Sequence, residues 1–134
     1  MRLPERIDAF VSLGEILRKG LHEADMKTLS PDSPGEVLFQ STELLDLAAE
    51  AGAVNPWFTP YSIYHALRDT CRMLERDNLV EWTGRYDEKE LDRPSVKNIG
   101  TILAGNIPLA GFHDFLSILI SGHHFTGKPS GKDD

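Results

Sequence analysis

The chain holds a few side-chain groupings whose types could do chemistry. His113-Asp114 has the composition of an acid/base pair, His123-His124 that of a metal ligand pair, and Cys71 that of a nucleophile. Spacing argues against each of these uses. Adjacent residues on a helix point about 100° apart, so His113 and Asp114 diverge; Asp114 suits the positive end of a helix that starts beside it. Neighbours on a strand face opposite sides, which makes two-point ligation by His123 and His124 poor, and no metal is expected. Cys71 falls on the apolar side of a helical pattern and reads as a buried structural thiol. Glu43, Asp46 and Glu50 recur at i, i+3 and i+7, the wet face of a helix. The run from Asp87 to Asp92 reads as a solvated face. Trp57 and Phe58 could line an apolar pocket or pack a helical half against a sheet, and packing is the favoured reading.

The elements that must position these groups follow from periodicity and punctuation. Leu3, Ile7, Phe10, Leu13 and Leu17 form a helical stripe from about Pro4 to Lys19, with Pro4 in the first turn and Gly20 as a stop. The stretch from Glu23 to Gly35 is polar and carries Ser30-Pro-Asp-Ser-Pro-Gly35 as loop punctuation. Thr42 caps a second helix with Leu44, Leu45, Leu47, Ala48 and Ala51 on its apolar side. Asn55-Pro-Trp-Phe-Thr-Pro60 is an aromatic connector. Thr59-Pro60 then opens a helix with Ile63, Ala66, Leu67, Cys71 and Leu74 on one face. Asp77 and Asn78 interrupt it, and a shorter helix through Leu79, Val80 and Trp82 follows. The run from Asp87 to Pro94 is a charged, solvated link, and its composition shift marks a boundary near residue 90 that divides the chain into a helical region, 1–90, and a second region, 91–134.

That second region has the pattern of one β-α-β unit. Val96, Ile99, Thr101, Ile102 and Leu103 lack clean alternation, as a strand covered on both faces would. Gly100, Gly105 and Gly111 allow close backbone approach. Phe112, Phe115, Leu116, Leu119 and Ile120 match an amphipathic helix without a gap, Gly122 ends it, and His123 to Gly127 return as a strand. Such a crossover implies parallel, right-handed pairing. The expected fold class is therefore α/β: a mostly helical N-terminal part followed by the β-α-β start of a Rossmann-like sheet. Because one such unit is not a domain, the chain reads as the front end of something larger.

Composition bounds the function classes. The chain has 134 residues, 40% of them hydrophobic and 26% charged, as in a soluble globular protein. A net charge of −7, with the basic residues scattered, argues against nucleic-acid or anionic-membrane partners. The apolar stretch from Ile99 to Phe112 is broken by Gly105, Asn106 and Pro108 and is too short to span a bilayer. The first six residues lack a signal-peptide core. A single cysteine excludes an intrachain disulfide and fits a reducing compartment, so a cytoplasmic location is expected.

From Val96 to Lys128 the chain resembles the start of the cofactor domain in the aldehyde dehydrogenase superfamily, and within it the bacterial long-chain acyl-CoA reductases that supply fatty aldehyde to luciferase. Asn55-Pro-Trp-Phe-Thr-Pro60, Ala104-Gly-Asn-Ile-Pro-Leu-Ala-Gly-Phe-His-Asp-Phe115 and Gly127-Lys-Pro-Ser130 carry the likeness, which covers most of the chain after residue 50. The resemblance implies that Asn106 donates a side-chain N–H to the oxyanion of the reacting carbonyl, a stabiliser for charge that appears only in the transition state. It also implies that Lys128 contacts the adenosine ribose, with Ser130 and Gly131 beside it. NAD-preferring members often place an acidic residue after the Ser; Gly131 and then Lys132 stand here, which points to NADPH. The implied substrate is an acyl-CoA or acyl-protein thioester. The superfamily's cysteine nucleophile has no counterpart in Cys71, so this piece alone is expected not to catalyse. The alternative is a helical interaction or dimerisation module, with a homodimer formed through an exposed sheet edge.

Overall fold

The computed structural model describes residues 1–21, 42–92 and 95–131. The polar stretch from Glu23 to Gly35 and the position of Lys132 lie outside them. The described chain is mixed α/β, mostly helical with a two-stranded parallel sheet. In order it forms α1 (Leu3–Gly20), α2 (Thr42–Val54), α3 (Pro60–Met73), α4 (Arg76–Thr83), α5 (Glu88–Asp92), β1 (Asn98–Ile102), α6 (Phe112–Ile120) and β2 (His124–Lys128).

The local signals explain where these elements begin and end. Pro4 sits in the first turn of α1, and Glu5 accepts the Arg2 backbone N–H at 2.9 Å, which satisfies a donor at the helix start. Thr59 caps α3 by accepting the Ser62 N–H at 3.1 Å, with Pro60 as first helical residue. Thr42 is the first residue of α2, inside the helix and not before it. The break after α3 falls at Leu74-Glu75, earlier than Asp77 and Asn78, which belong to the first turn of α4. The early break serves the core, because it lets both Leu74 and Leu79 point inward, each 1% exposed. Gly122, at φ 82°, closes the end of α6 in the left-handed region where glycine carries no penalty.

β1 and β2 pair in parallel with Asn98 opposite His124 and Ile102 opposite Lys128, and α6 is the crossover between them. The sheet departs from the expected strand in one respect. Burial along β1 alternates, and Ile102 is 82% exposed, so one face is covered here and the other is open. Gly111 makes the expected close approach, since a Cβ there would lie 2.2 Å from Leu103 Cδ2. Gly100 does not; nothing lies within 4 Å of that position.

Burial builds two apolar clusters. The larger joins Leu3, Ile7 and Phe10 of α1 with Leu74, Leu79 and the α6 residues Leu116 and Ile120. Phe10 and Phe115 meet edge to face at 6.2 Å, and Phe115 meets Phe125 of β2 at 5.3 Å. The helical region and the β-α-β unit therefore share this core, with residues from both sides of position 90. Asp92 is part of the junction, accepting the Leu3 N–H at 2.8 Å, so the acidic run is solvated only up to Glu90. The smaller cluster gathers Leu21, Ala48, Tyr64, Leu67 and Cys71. Leu47, expected on the apolar side of α2, is exposed.

Candidate functional site

The carboxyl ends of parallel strands are where open α/β sheets bind ligands. Here that end is built from the loop after β1 and the last residues of β2. Pairing runs one step beyond the strand, with the Leu103 N–H donating to the Lys128 carbonyl at 2.9 Å. The chain then turns through Gly105 and Pro108, both buried, and leaves Asn106 exposed between them. Leu109 adopts φ 58°, a left-handed conformation that costs a side-chain-bearing residue roughly 1–2 kcal/mol. Ala110 and Phe112 close the loop by donating to the carbonyls of Ile107 and Leu109 at 3.2 and 2.9 Å.

What holds this turn comes from elsewhere in the sequence. Asn55 is 4% exposed, and its Nδ2 donates to the Gly105 carbonyl at 2.7 Å. Its Oδ1 accepts the Trp57 N–H at 3.2 Å, and its own carbonyl accepts the Phe58 N–H at 2.8 Å. The side chain is thus fixed at both ends: the aromatic connector orients the carboxamide, and the carboxamide pins the peptide that precedes Asn106. The run Asn55–Pro60 and the run Ala104–Phe115 meet at this bond. Trp57 itself, 68% exposed, does not pack the two halves together; Asn55 does that.

The structure brings Asn106, Lys128, Ser130 and Gly131 to one end of the sheet. Lys128 ends β2 with an exposed side chain whose Nζ donates to the Pro129 carbonyl at 3.4 Å. Ser130 is half-buried, and Gly131 lies in a turn with open space where a side chain would stand. An ammonium, a hydroxyl and a side-chain-free turn therefore stand at this end of the sheet. The carboxamide of Asn106 makes no hydrogen bond to another described residue, so its donors are available to a ligand.

The remaining candidates lie apart from this end. Cys71 is buried on α3, and burial pushes its thiol pKa up, with Arg18 opposing the shift. That is the opposite of what activates a nucleophilic thiolate. His113 stacks obliquely on Trp82 at 6.0 Å. His124 pairs through Nδ1 with Asn98 Oδ1 at 3.0 Å, and no metal-binding group of His, Cys, Asp or Glu occurs among the described residues. Glu43, Asp46 and Glu50 are exposed. Asn55 and Leu109 are site residues that motif reading passed over. Asn-Pro at 55–56 signals a turn, but no local signal names the carbonyl fifty positions on that it holds. No helix among the described residues is long and apolar enough to cross a membrane. No family model matches the chain, and no curated protein or solved structure matches it.

Proposed function

We propose that this chain contributes the first β-α-β unit and a helical support to an NADPH-linked reductase that converts a fatty acyl thioester, on CoA or a carrier protein, to the aldehyde. In this reading the Asn106 carboxamide donates to the carbonyl oxygen as negative charge develops on it, and the Asn55 bond to Gly105 keeps that donor in place before reaction. Lys128, Ser130 and the open turn at Gly131 hold the ribose end of the nucleotide. The bound nicotinamide supplies the hydride. Cys71 takes no part, so the thiolate that accepts the acyl group comes from other residues, and the piece described here is inactive by itself.

The observation that supports this best is the pinned turn: a strained, buried-anchor loop that offers an amide donor at the same strand end as an exposed lysine. Titration with NADPH and NADH, followed by amide shifts in a ¹⁵N spectrum, tests it. Perturbations confined to Leu103–Asn106 and Thr126–Gly131, stronger for NADPH and lost in Lys128→Ala, are expected. Shifts elsewhere, or none at millimolar nucleotide, refute it.

A second reading, a self-association module, is favoured by the open face of the sheet at Ile102 and by outer strand edges that no other strand among the described residues covers. Light scattering that gives twice the monomer mass, with Ile102→Lys restoring the monomer, supports it; a monomer at all concentrations rejects it.

A further inference from the structure

The loop from β1 to α6 carries a turn in a conformation that its residues do not favour. The Ala110 N–H donates to the Ile107 carbonyl at 3.2 Å, which makes Ile107–Ala110 a hydrogen-bonded β-turn. Pro108 takes its second position with the negative φ that the ring imposes, and Leu109 takes its third with φ 58°. That combination is a type II turn, whose third position normally holds glycine or asparagine. Leucine there carries the strain of a left-handed backbone. Its side chain is 44% exposed, so burial of Leu109 itself offsets little of that strain.

The offset comes from the two ends of the loop. At one end the Asn55 carboxamide holds the Gly105 carbonyl at 2.7 Å. At the other, Gly111 packs so closely on Leu103 that a Cβ would lie 2.2 Å from Leu103 Cδ2, and its carbonyl accepts the Phe115 N–H at 3.0 Å. Pro108 is buried between them. With both ends held, the segment cannot swing as a lid, and one small motion stays open to it. Rotation of the Pro108–Leu109 peptide plane converts type II to type I, keeps the Ala110–Ile107 bond and returns Leu109 to a negative φ. Neither the Leu109 N–H nor the Pro108 carbonyl bonds to another described residue, so the rotation breaks no hydrogen bond. The clamped ends favour the observed turn, and the backbone of Leu109 favours the other. Strain of this size weights such a balance by roughly 5–30-fold.

We propose that the Ile107–Ala110 turn is a two-state switch, in which the Pro108–Leu109 peptide flips and exchanges the directions of one N–H and one carbonyl close to Asn106. A ligand at this strand end that meets the peptide binds one state better and selects it. The switch belongs to the chain itself and stands whether or not the strand end takes a nucleotide.

NMR of the whole chain tests it, in wild type, Leu109→Gly and Leu109→Val. Relaxation dispersion should show exchange at the Leu109 and Ala110 amides and none at the Gly105 amide. Leu109→Gly removes the strain and should cut the minor state by roughly 5–30-fold, which flattens the dispersion. Leu109→Val is β-branched and ill suited to a left-handed backbone, so it should favour the flipped state. The strong nuclear Overhauser contact from Pro108 Hα to the next amide, a mark of type II, should therefore weaken in that variant. A flat wild-type profile, exchange that survives Leu109→Gly, or a type II contact retained in Leu109→Val overturns the proposal. If Leu109→Val does not fold, the comparison of wild type with Leu109→Gly decides.

Discussion

Asn55→Ala is the most exacting perturbation of the candidate site, because one buried carboxamide joins it to the helical region. The substitution removes the 2.7 Å bond to the Gly105 carbonyl and the 3.2 Å bond from the Trp57 N–H. Gly105 is buried, so its carbonyl loses a partner that water cannot readily replace, at a cost of about 1–3 kcal/mol. The Trp57 amide belongs to an exposed connector residue and recovers most of its loss from solvent, which leaves about 0.5–1 kcal/mol for that bond. Together these give roughly 1.5–4 kcal/mol, a large share of the ~5–15 kcal/mol that stabilises an ordinary domain. At about 2.1 cal/mol/K of unfolding entropy per residue, the melting temperature falls by roughly 5–14 °C. Urea denaturation should show a lower midpoint with an unchanged slope, and hydrogen exchange should accelerate at Gly105–Phe112 before it does in α1. Asn55→Asp keeps the shape but sets a carboxylate oxygen against the Gly105 carbonyl, so it should destabilise at least as much. A loss under about 0.5 kcal/mol in Asn55→Ala, with exchange at Gly105–Phe112 unaltered, would refute the pinning argument.

Gly14→Ala tests the crossing of α1 over the end of α3: its Cβ would stand 2.8 Å from Leu74 Cβ. Alanine would gain about 1 kcal/mol in an open helix, but overpacking costs ~1–3 kcal/mol, so urea denaturation should show a net loss, and a stabilised variant would mean the helices do not meet there. Cys71 should react with a thiol reagent many times more slowly in the native chain than in urea, since it is buried and its thiol pKa is raised; equal rates would contradict that placement. The same shift makes the folded state hold its proton longer than the unfolded one, so stability should fall as pH rises above the ordinary thiol value of about 8.5, and Cys71→Ala should remove that slope. Burial, reinforced by Arg68, lowers the His65 pKa, and its Nε2 has no partner among the described residues. The unfolded chain therefore takes up the proton first, and stability should decline as pH drops below about 6.5; His65→Phe should flatten that decline, and a wild-type profile in the variant would show that another group causes it.

Local order in this molecule was legible without coordinates. The stripe from Leu3 to Leu17, the Thr59-Pro60 start of α3 and the glycine stop at Gly122 each depend on residues within a few positions, and each element formed where its pattern lies. The strand, turn, helix and strand after residue 95 were equally plain, because a gapless helical stripe between two short β-rich runs leaves few other arrangements. The two-sided covering expected of β1 was not met, since what lies over a strand face is set by its neighbours and not by its composition. Motif likeness also brought Asn106 and Lys128 forward, and their shared strand end follows from parallel pairing.

The support beneath that end was decided by the tertiary structure alone. Asn55 meets Gly105 across fifty positions, Leu3 meets Asp92 across eighty-nine, and Arg6 meets Leu91 across eighty-five. None of these partners is implied by periodicity, which reports only which face of an element is apolar. Arg6 and Gly14 show the same limit. An arginine within the helix reads as solvated and a glycine there as a weakness, until α5 and Leu74 close over them. Short-range pattern encodes the elements because backbone bonding and side-chain alternation are local. The buried polar contacts that orient a site are chosen by the packing of distant segments, where an unsatisfied group is costly enough to select its partner.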